Sequence, residues 1–175
     1  MIFGKMNFLI RKASMSDLDT VKSLTEACAK KMISDGIYQW NDHYPSKEIF
    51  RKDIKEGALY VCEDQNQIRG CVMFSPDKDE VYNSTNWLTE DHKNLYIHRL
   101  AVHPKFQKKG IGNKLMDYAE SKAKKLNFIS IRLDTFSQNK SNNKFYESRG
   151  YKKLGNVFFR KQSEFPFHCY EKILN

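Results

Sequence analysis

The fold is decided by Leu95-Tyr-Ile-His-Arg-Leu-Ala-Val102 and by Gln107-Lys-Lys-Gly-Ile-Gly112, which follows after a short turn. The first stretch is apolar on both faces, which predicts a central strand. The second predicts a turn that opens a helix. Gly110 and Gly112 have no Cβ, so the backbone can approach a ligand closely and adopt angles closed to other residues. Amides at such a turn point outward at the positive end of the helix, which favours an anion.

This turn differs from the common phosphate-binding loops. The sequence has neither G-x-x-x-x-G-K-[ST] nor G-x-G-x-x-G with an acidic residue about twenty positions further on. Binding of an anion here therefore depends on the backbone amides and on the charge of Lys105, Lys108 and Lys109. The combination of amides and lysines suits a pyrophosphate.

Two motifs connect this turn with a known family. Residues 99–112, Arg-Leu-Ala-Val-His-Pro-Lys-Phe-Gln-Lys-Lys-Gly-Ile-Gly, resemble the acetyl-CoA-binding motif of the GNAT superfamily of N-acetyltransferases, whose core is [Q/R]-x-x-G-x-[G/A]. Asn139, Tyr146 and Gly150-Tyr151 are similar to that family's N-x-x-A-x-x-x-Y-x-x-x-G-[F/Y] helix. The resemblance is most specific over residues 94–151 and looser over residues 7–75.

The resemblance implies a fold of the α/β class, the GNAT-like acyl-CoA N-acyltransferase fold. It has a central, mostly antiparallel sheet flanked by helices and splayed open between strands 94–102 and 129–136. The splay leaves backbone groups of the first strand unpaired, and the pantetheine arm of acetyl-CoA would bond to them like an added strand. Leu100 and Val102 are the expected main-chain partners.

Hydrophobic periodicity predicts the same element order without the family. The order is β-α-α-β-β-β-α-β-α-β-β. The expected helices are 17–36, 46–56, 110–126 and 139–149, and the expected strands are 10–14, 58–63, 68–74, 94–102, 129–136, 151–159 and 166–174. Residues 76–93 are predicted to be a loop anchored by Trp87 and Leu88.

Composition indicates a single globular domain over residues 1–175. The chain of 175 residues is long enough to bury a sizeable core, and 40% apolar with 13% aromatic content argues against disorder. No apolar run approaches the roughly 18–20 residues that span a bilayer. The first residues also lack the features of a signal peptide, so the expected location is cytoplasmic.

The cysteines carry no sign of a special chemistry. Cys28, Cys62, Cys71 and Cys169 have the spacing of neither a metal site nor a C-x-x-C redox motif. We therefore expect small, buried apolar residues and no metal.

The net charge of +9 is unevenly distributed. Basic residues concentrate at 99–125 and 140–161, while residues 35–91 carry many of the acids. Coenzyme A, a polyanion, would account for the first basic cluster. A solvated basic face or a nucleic-acid-binding module are alternatives, although the aromatic residues do not interleave with lysines as base stacking requires. A GNAT-fold protein that binds acyl-CoA without turnover is a further alternative.

Direct acetyl transfer to an amine has three requirements. The amine must be neutral to attack, the oxyanion needs a donor such as a backbone N–H, and the departing thiolate benefits from a proton.

The resemblance places Tyr146 at the position of the family's leaving-group acid. His98 is the candidate base, because it shares a face with Leu100 and Val102 if the strand is regular; a β-bulge would change that parity. Serotonin N-acetyltransferase, in the same superfamily, has histidine at this point, whereas many relatives have glutamate or no base.

Two other residues that could transfer a proton lie near the strand ends. Glu63 is a less favoured base at the end of an earlier strand, and His103 is expected to be positional. Asn139 is expected either to hold a pantetheine amide or to cap its helix. The full set of predicted coenzyme contacts is Leu100, Ala101, Val102, Gln107, Lys108, Lys109, Gly110, Ile111, Gly112, Asn113, Lys114, Asn139 and Tyr146.

The acceptor site is expected at the first two helices. Gln39, Trp40, Tyr44 and Trp87 are the predicted wall, which Asp35, Asp42 and Glu48 would make suitable for a cationic amine. Trp40 and Tyr44 have an alternative role, which is to attach the helix pair to the core.

The sequence thus predicts an acetyl-CoA-dependent N-acetyltransferase that acts directly on a primary amine of a small molecule or peptide through a ternary complex. The protein is expected to be a monomer or homodimer, without nucleic acid or membrane partners.

Overall fold

A computed structural model describes residues 8–174 and shows one seven-stranded sheet with helices packed on both faces. The strands are β1 (Leu9–Lys12), β2 (Leu59–Asp64), β3 (Gln67–Ser75), β4 (Asn94–Val102), β5 (Ser130–Phe136), β6 (Lys152–Val157) and β7 (Phe167–Ile173). The helices are α1 (Leu18–Ser34), α2 (Lys47–Lys55), α3 (Ile111–Lys125) and α4 (Lys140–Ser148). The predicted element order is confirmed, with short 3-10 turns at Met15–Asp17, Glu80–Ser84 and Pro104–Phe106 added.

The sheet is mostly antiparallel and opens in its middle. Its strand order is β1-β2-β3-β4-β5-β7-β6, and β4–β5 is the parallel pair. The two strands pair from Asn94↔Ser130 to Ile97↔Leu133 and then separate. Beyond this point β4 continues along β3 to Val102, and β5 continues along β7 to Phe136. The predicted splay is therefore confirmed.

A β-bulge in β4 lies where the strands separate. Cys71 pairs with Ala101 and Met73 pairs with His98, so two residues of β4 lie opposite one residue of β3. Arg99, in the bulge, has a φ of 51°, which is a left-handed conformation. The bulge reverses which face the following residues occupy.

The bulge changes one prediction about the site. Before it, Leu95 and Ile97 pack on the α3 side of the sheet, while Tyr96 and His98 point to the other side, where both rings stack on Tyr82. After it, Leu100 and Val102 pack on the α3 side. The prediction that His98 shares a face with Leu100 and Val102 is therefore wrong, because the extra residue shifts the alternation.

Each face of the sheet buries its own core. In β2, Tyr60 and Cys62 join the core beneath α3, whereas Leu59 and Val61 join the core beneath α1 and α2. This alternation is the period-two pattern of a strand covered on both sides. The four cysteines are buried and unpaired, as predicted. Within residues 8–174, no helix is long and apolar enough to cross a membrane.

A buried ion pair fixes the segment 85–93 to the sheet. Arg132 and Glu171 are both 0% exposed, and Arg132 Nε donates to Glu171 Oε1 at 3.0 Å. The hydroxyl of Thr89 and the N–H of Leu88 also donate to this carboxylate, at 2.5 Å each. The Leu88 side chain is itself 43% exposed, so Leu88 anchors the segment through its backbone N–H.

We expect the substitution Glu171→Gln to lower the free energy of unfolding by about 3 kcal/mol, because it leaves the buried Arg132 without its fully buried partner. The exposed pair Lys31–Asp35 provides the control. Asp35→Asn should change stability by less than about 0.5 kcal/mol. Urea unfolding of the three proteins measures both effects. Equal losses in the two variants would contradict the role given to Arg132–Glu171.

Candidate active site

A cavity of about 550 Å³ opens where β4 and β5 separate. Its walls come from the segment between α1 and α2, from α2 itself, from the end of β3 and from both separated strands. Tyr146 of α4 also lines it. The cavity thus reaches from the acceptor region predicted at the first two helices to the predicted leaving-group acid.

Backbone groups of β4 face the gap. The N–H of His103 donates to Arg69 O at 2.9 Å, and hydrogen-bonded pairs alternate along an antiparallel ladder. Ala101 therefore directs its N–H and C=O to β3, while Leu100 and Val102 direct theirs toward the gap. Ala101 was predicted to contact the coenzyme, but its backbone groups are used by the sheet. The Val102 carbonyl accepts from Gln107 Nε2 at 3.1 Å, which leaves Leu100 as the open position.

The turn before α3 presents a row of free amides. Gly110 is the N-cap of α3 with a φ of 81°, and the first helical bond runs from Lys114 N–H to Gly110 O at 3.0 Å. Within residues 8–174, the N–H groups of residues 108–113 have no hydrogen-bond acceptor. A Cβ placed on Gly110 would find no atom within 4 Å. The turn is thus an open cradle of donors, as the sequence predicted.

Other residues of the turn have more limited roles. A Cβ on Gly112 would lie 3.8 Å from the Phe145 ring and 3.9 Å from Val102, which are ordinary contacts. Close packing therefore does not require glycine at position 112. The ammonium groups of Lys109 and Lys114 lie over the rings of Phe106 and Phe8. The side-chain bond of Gln107 to Val102 fixes the turn against the strand end.

Tyr146 combines burial with an unused hydroxyl. Its side chain contacts the rings of Phe145, Tyr151 and Tyr170, and the residue is 6% exposed. Its hydroxyl makes no hydrogen bond to the described part of the chain. Burial raises the pKa of the Tyr146 phenol well above its usual value, with the charge of Asp134 adding to the effect. The phenol is therefore protonated at any physiological pH.

Asn139 caps helix α4. Its Oδ1 accepts from Asn142 N–H at 3.1 Å, and its Nδ2 donates to Gln39 Oε1 at 2.9 Å. The second bond ties the cap to the segment between α1 and α2. The helix-cap interpretation is confirmed, and a contact with the pantetheine arm stays a prediction.

His98 lines the cavity on the side opposite α3. Its ring stacks on Tyr82 with centroids 6.1 Å apart. Burial, with a smaller effect from the charge of Arg99, lowers the pKa of His98 to about 3. An effective general base has a pKa near the operating pH. The structure therefore favours His98 as a neutral polar wall residue over the proton acceptor that we predicted.

The two remaining proton-transfer candidates lie elsewhere. Glu63 pairs with Arg11 at 2.8 Å and lines a separate surface depression. His103 caps the 3-10 turn Pro104–Phe106, where its Nδ1 accepts from Lys105 N–H at 3.2 Å. The positional role predicted for His103 is thus confirmed, and Glu63 is not part of the cavity.

The acceptor side differs from the prediction in two respects. Gln39, Trp40 and Tyr44 line the cavity as expected, although Trp40 is also part of the buried core. Trp87 does not line it, because its ring lies over the Arg132 guanidinium and its Nε1 donates to Tyr82 O. The predicted acids Asp35, Asp42 and Glu48 are also outside. The acids that line the cavity are Asp53, Glu56, Asp77, Asp79, Glu80 and Asp134.

Sequence reasoning missed Asp134, a half-buried acid of β5 that lines the cavity. It is the acidic residue of β5, directly before Thr135 and Phe136. A single carboxylate in a strand that is covered on both faces is costly without a partner. That carboxylate was the signal available in the sequence.

Comparisons with known proteins agree with this geometry. The family model described as the acetyltransferase (GNAT) family matches residues 22–151. The uncharacterized N-acetyltransferase YesJ of Bacillus subtilis is 26% identical over 146 residues, which are 82% of this chain and 81% of that protein.

Two solved structures share the fold. A GNAT-family acetyltransferase of Streptococcus agalactiae is 21% identical with a TM-score of 0.81, over 98% of this chain and 99% of that one. The PaiA N-acetyltransferase of Thermoplasma acidophilum, solved in complex with coenzyme A, is 20% identical with a TM-score of 0.70, over 97% of this chain and 100% of that one. With the splayed sheet, the amide cradle and a family model that spans most of its length, this chain belongs to the GNAT family of acetyltransferases.

Proposed function

We propose that residues 1–175 form a single acetyltransferase domain that moves the acetyl group of acetyl-CoA directly to a primary amine in a ternary complex. The observation that carries this proposal is the continuity of one path. The turn that holds the free amides of residues 108–113 is fixed to the end of β4 by the bond from Gln107 Nε2 to Val102 O, and Leu100 and Tyr146 line the same cavity. A carrier molecule with a pyrophosphate at one end and a thioester at the other would place the pyrophosphate at the amides and the thioester in the cavity.

The residues present fit coenzyme A. The amides of residues 108–113 hold the pyrophosphate at the positive end of α3, with Gln107 fixing the turn. The lysines of the turn add charge, although exposed lysines contribute only modestly each. The backbone of Leu100 pairs with the pantetheine arm in the manner of an added strand. Coenzyme A in the PaiA structure supports this choice, because that protein shares the fold.

Bound acetyl-CoA supplies an acetyl thioester. Tyr146 lies on the α3–α4 side of the sheet and keeps its proton, so it donates to the sulfur as the C–S bond breaks. A free N–H of β4 supplies the donor to the thioester oxygen. The acceptor enters from the other side, between the aromatic wall of Trp40 and Tyr44 and the acids of the cavity. The two ligands therefore meet in the gap without displacing each other.

A screen of thiol release from acetyl-CoA tests the proposal, with amine classes that include amino acids, diamines, aminoglycosides and peptide amines. Turnover of at least one class above the rate of hydrolysis is expected. Binding of acetyl-CoA by calorimetry without turnover of any amine would favour the alternative in which the protein binds acyl-CoA without catalysis. Absence of binding at millimolar acetyl-CoA would reject both.

We expect Gly110→Glu to weaken acetyl-CoA binding by about 100-fold or more, because like charges placed together cost several kcal/mol. Space is available for the side chain, since no atom lies within 4 Å of the Cβ position. Gly110→Ala is the matched control, because it introduces the strain of a φ of 81° without the charge. Calorimetric titration with acetyl-CoA, with circular dichroism to verify the fold, makes the comparison. Wild-type affinity in Gly110→Glu would refute the cradle.

Tyr146→Phe should lower kcat by roughly ten- to a thousandfold, with acetyl-CoA affinity little changed, because it removes the proton donor to the leaving sulfur. Tyr151→Phe is the control, because that buried hydroxyl donates to Glu120 at 3.2 Å and lies outside the cavity. Steady-state kinetics with the best amine of the screen provide the measurement. Unchanged kcat in Tyr146→Phe would reduce Tyr146 to a packing residue.

A further inference from the structure

Asp134 occupies the side of the gap that faces the acceptor. Neighbouring residues of a strand point to opposite faces, and Leu133 belongs to the core beneath α3 that also contains Tyr146. Asp134 therefore points to the other face, where its Oδ1 accepts from the hydroxyl of Tyr82. Both Asp134 and Tyr146 line the cavity. The gap between the strands thus separates a carboxylate on one side from a phenol on the other.

The carboxylate lacks a cation, unlike its neighbours. Each basic side chain that lines the cavity already has an acidic partner: Lys52 with Glu56 at 3.8 Å, Lys78 with Asp91 at 2.6 Å, and Arg99 with Asp53 at 2.8 Å. Within residues 8–174, Asp134 forms no ion pair, and its Oδ2 has no hydrogen-bond donor. A carboxylate in a recessed site without a cation is a place where a cationic ligand gains most.

A second polar group in the same wall has no partner. Thr135 is 1% exposed and lines the cavity, and its Oγ1 makes no hydrogen bond within the described residues. Buried hydroxyls nearly always have a partner, so an unpaired one beside a cavity points to a ligand or water that completes it. Thr135 follows Asp134 in β5, so its side chain points to the opposite face, the face of Leu133 and Tyr146. The free hydroxyl therefore marks the coenzyme side of the gap, and the Asp134 carboxylate marks the acceptor side.

We propose that the Asp134 carboxylate binds the ammonium group of the acceptor and takes its proton, so that the acceptor is a primary amine that arrives as a cation. This inference rests on the proposed function and adds a residue and a substrate class to it. Asp134 is the catalytic residue on the acceptor side, as Tyr146 is on the coenzyme side. Tyr82 is a positioning residue, because it acts through its hydrogen bond to Asp134.

The step balances without any further reactant. The ammonium gives one proton to Asp134, which passes it to solvent, and the neutral amine forms the C–N bond as the C–S bond of the thioester breaks. The second proton lost by the nitrogen replaces the one that Tyr146 donates to sulfur. An ammonium and a thioester thus yield an amide, a thiol and one proton in solution.

The surroundings of Asp134 suit this work near neutral pH. Burial raises the pKa of Asp134 to about 6, against the opposing effects of the Tyr82 hydrogen bond and the Arg99 charge. The carboxylate is therefore ionised at pH 7 and lies closer to the operating pH than His98. The titratable and charged groups that face it from the elements packed around it are Tyr44, Asp79, Tyr82, His98, Arg99, Tyr146 and Cys169.

The sign of the pH dependence follows from these groups. As pH falls through about 6, Asp134 takes up a proton and loses its attraction for the ammonium, so kcat/KM for the amine falls. The fall of kcat/KM at low pH is the acid limb of the pH–rate profile. Tyr82→Phe removes a hydrogen-bond donor that lowers the pKa of Asp134, so this acid limb moves to higher pH. Asp134→Asn removes the acid limb altogether. A purely structural role for Asp134 would lower stability in these variants but leave the limb in place.

The experiment compares wild type, Asp134→Asn and Tyr82→Phe, with Asp35→Asn as the control for an exposed acid outside the cavity. Pairing with a recessed charge is worth about 2–5 kcal/mol, so Asp134→Asn should raise KM for the amine by about 30-fold or more. Asp35→Asn should change it by less than about threefold. KM for acetyl-CoA should stay as in wild type. An unchanged acid limb and amine KM in Asp134→Asn would overturn the proposal.

A binding measurement separates this inference from the proposed function. Calorimetry with n-butylammonium and 1,4-butanediammonium, and with n-butanol as the neutral control, is performed at pH 7.5 and pH 5. We expect binding of an ammonium at pH 7.5 that is weakened at pH 5 and lost in Asp134→Asn. Such binding without turnover of any amine would sustain the Asp134 site and reject catalysis. Turnover that does not depend on Asp134, or no binding of either ammonium to wild type, would overturn the inference.

Discussion

The ion pair between Arg99 and Asp53 holds β4 in the shape that the site needs. Arg99 has a φ of 51°, a conformation that costs a non-glycine residue about 1–3 kcal/mol unless its surroundings fix it. Its guanidinium donates twice to Asp53, both times at 2.8 Å, and the two side chains are 8% and 2% exposed. Asp53 lies on α2, so the packing of this helix and the bulge depend on each other. Because of the bulge, His98 faces the acceptor side, and Leu100, two residues later, faces the coenzyme side.

The gap between β4 and β5 is stable because each strand keeps a partner on its outer side. β4 remains paired with β3 as far as Val102, and β5 remains paired with β7 as far as Phe136. Opening the sheet therefore leaves only the inner edges unpaired, and Leu100 lies on one of them. Unpaired backbone groups are costly when they are buried away from water, so an open inner edge is a natural place for an extended ligand. The opening is thus a preorganised slot, and the orientation of two substrates in it lowers the entropic cost of their reaction.

The helices and strands were predictable from the sequence because each carries its own hydrophobic periodicity. The residues that line the cavity were only partly predictable. The turn residues between β2 and β3, Gln65 and Asn66, both have positive φ, which is the geometry of a two-residue hairpin turn. The bulge at Arg99 was not predictable in place, because an arginine gives no local sign of a left-handed conformation and its partner Asp53 is 46 residues away. Trp87 was misassigned for the same reason: its contact with Arg132 is a long-range one. Local patterns set the strands, whereas distant pairs decide which side chains enter the cavity.

The uneven charge of the sequence becomes a separation in space. The basic stretch 99–125 provides the turn before α3, which the proposed function assigns to a polyanion. The acids Asp53, Asp77 and Asp134 line the cavity, which the proposed function assigns to the acceptor. Salt screens exposed charges beyond about 8 Å at physiological ionic strength, so two such regions in one small protein act almost independently. A negatively charged carrier and a positively charged amine can then be attracted to their own ends of the gap, and neither field weakens the binding of the other ligand.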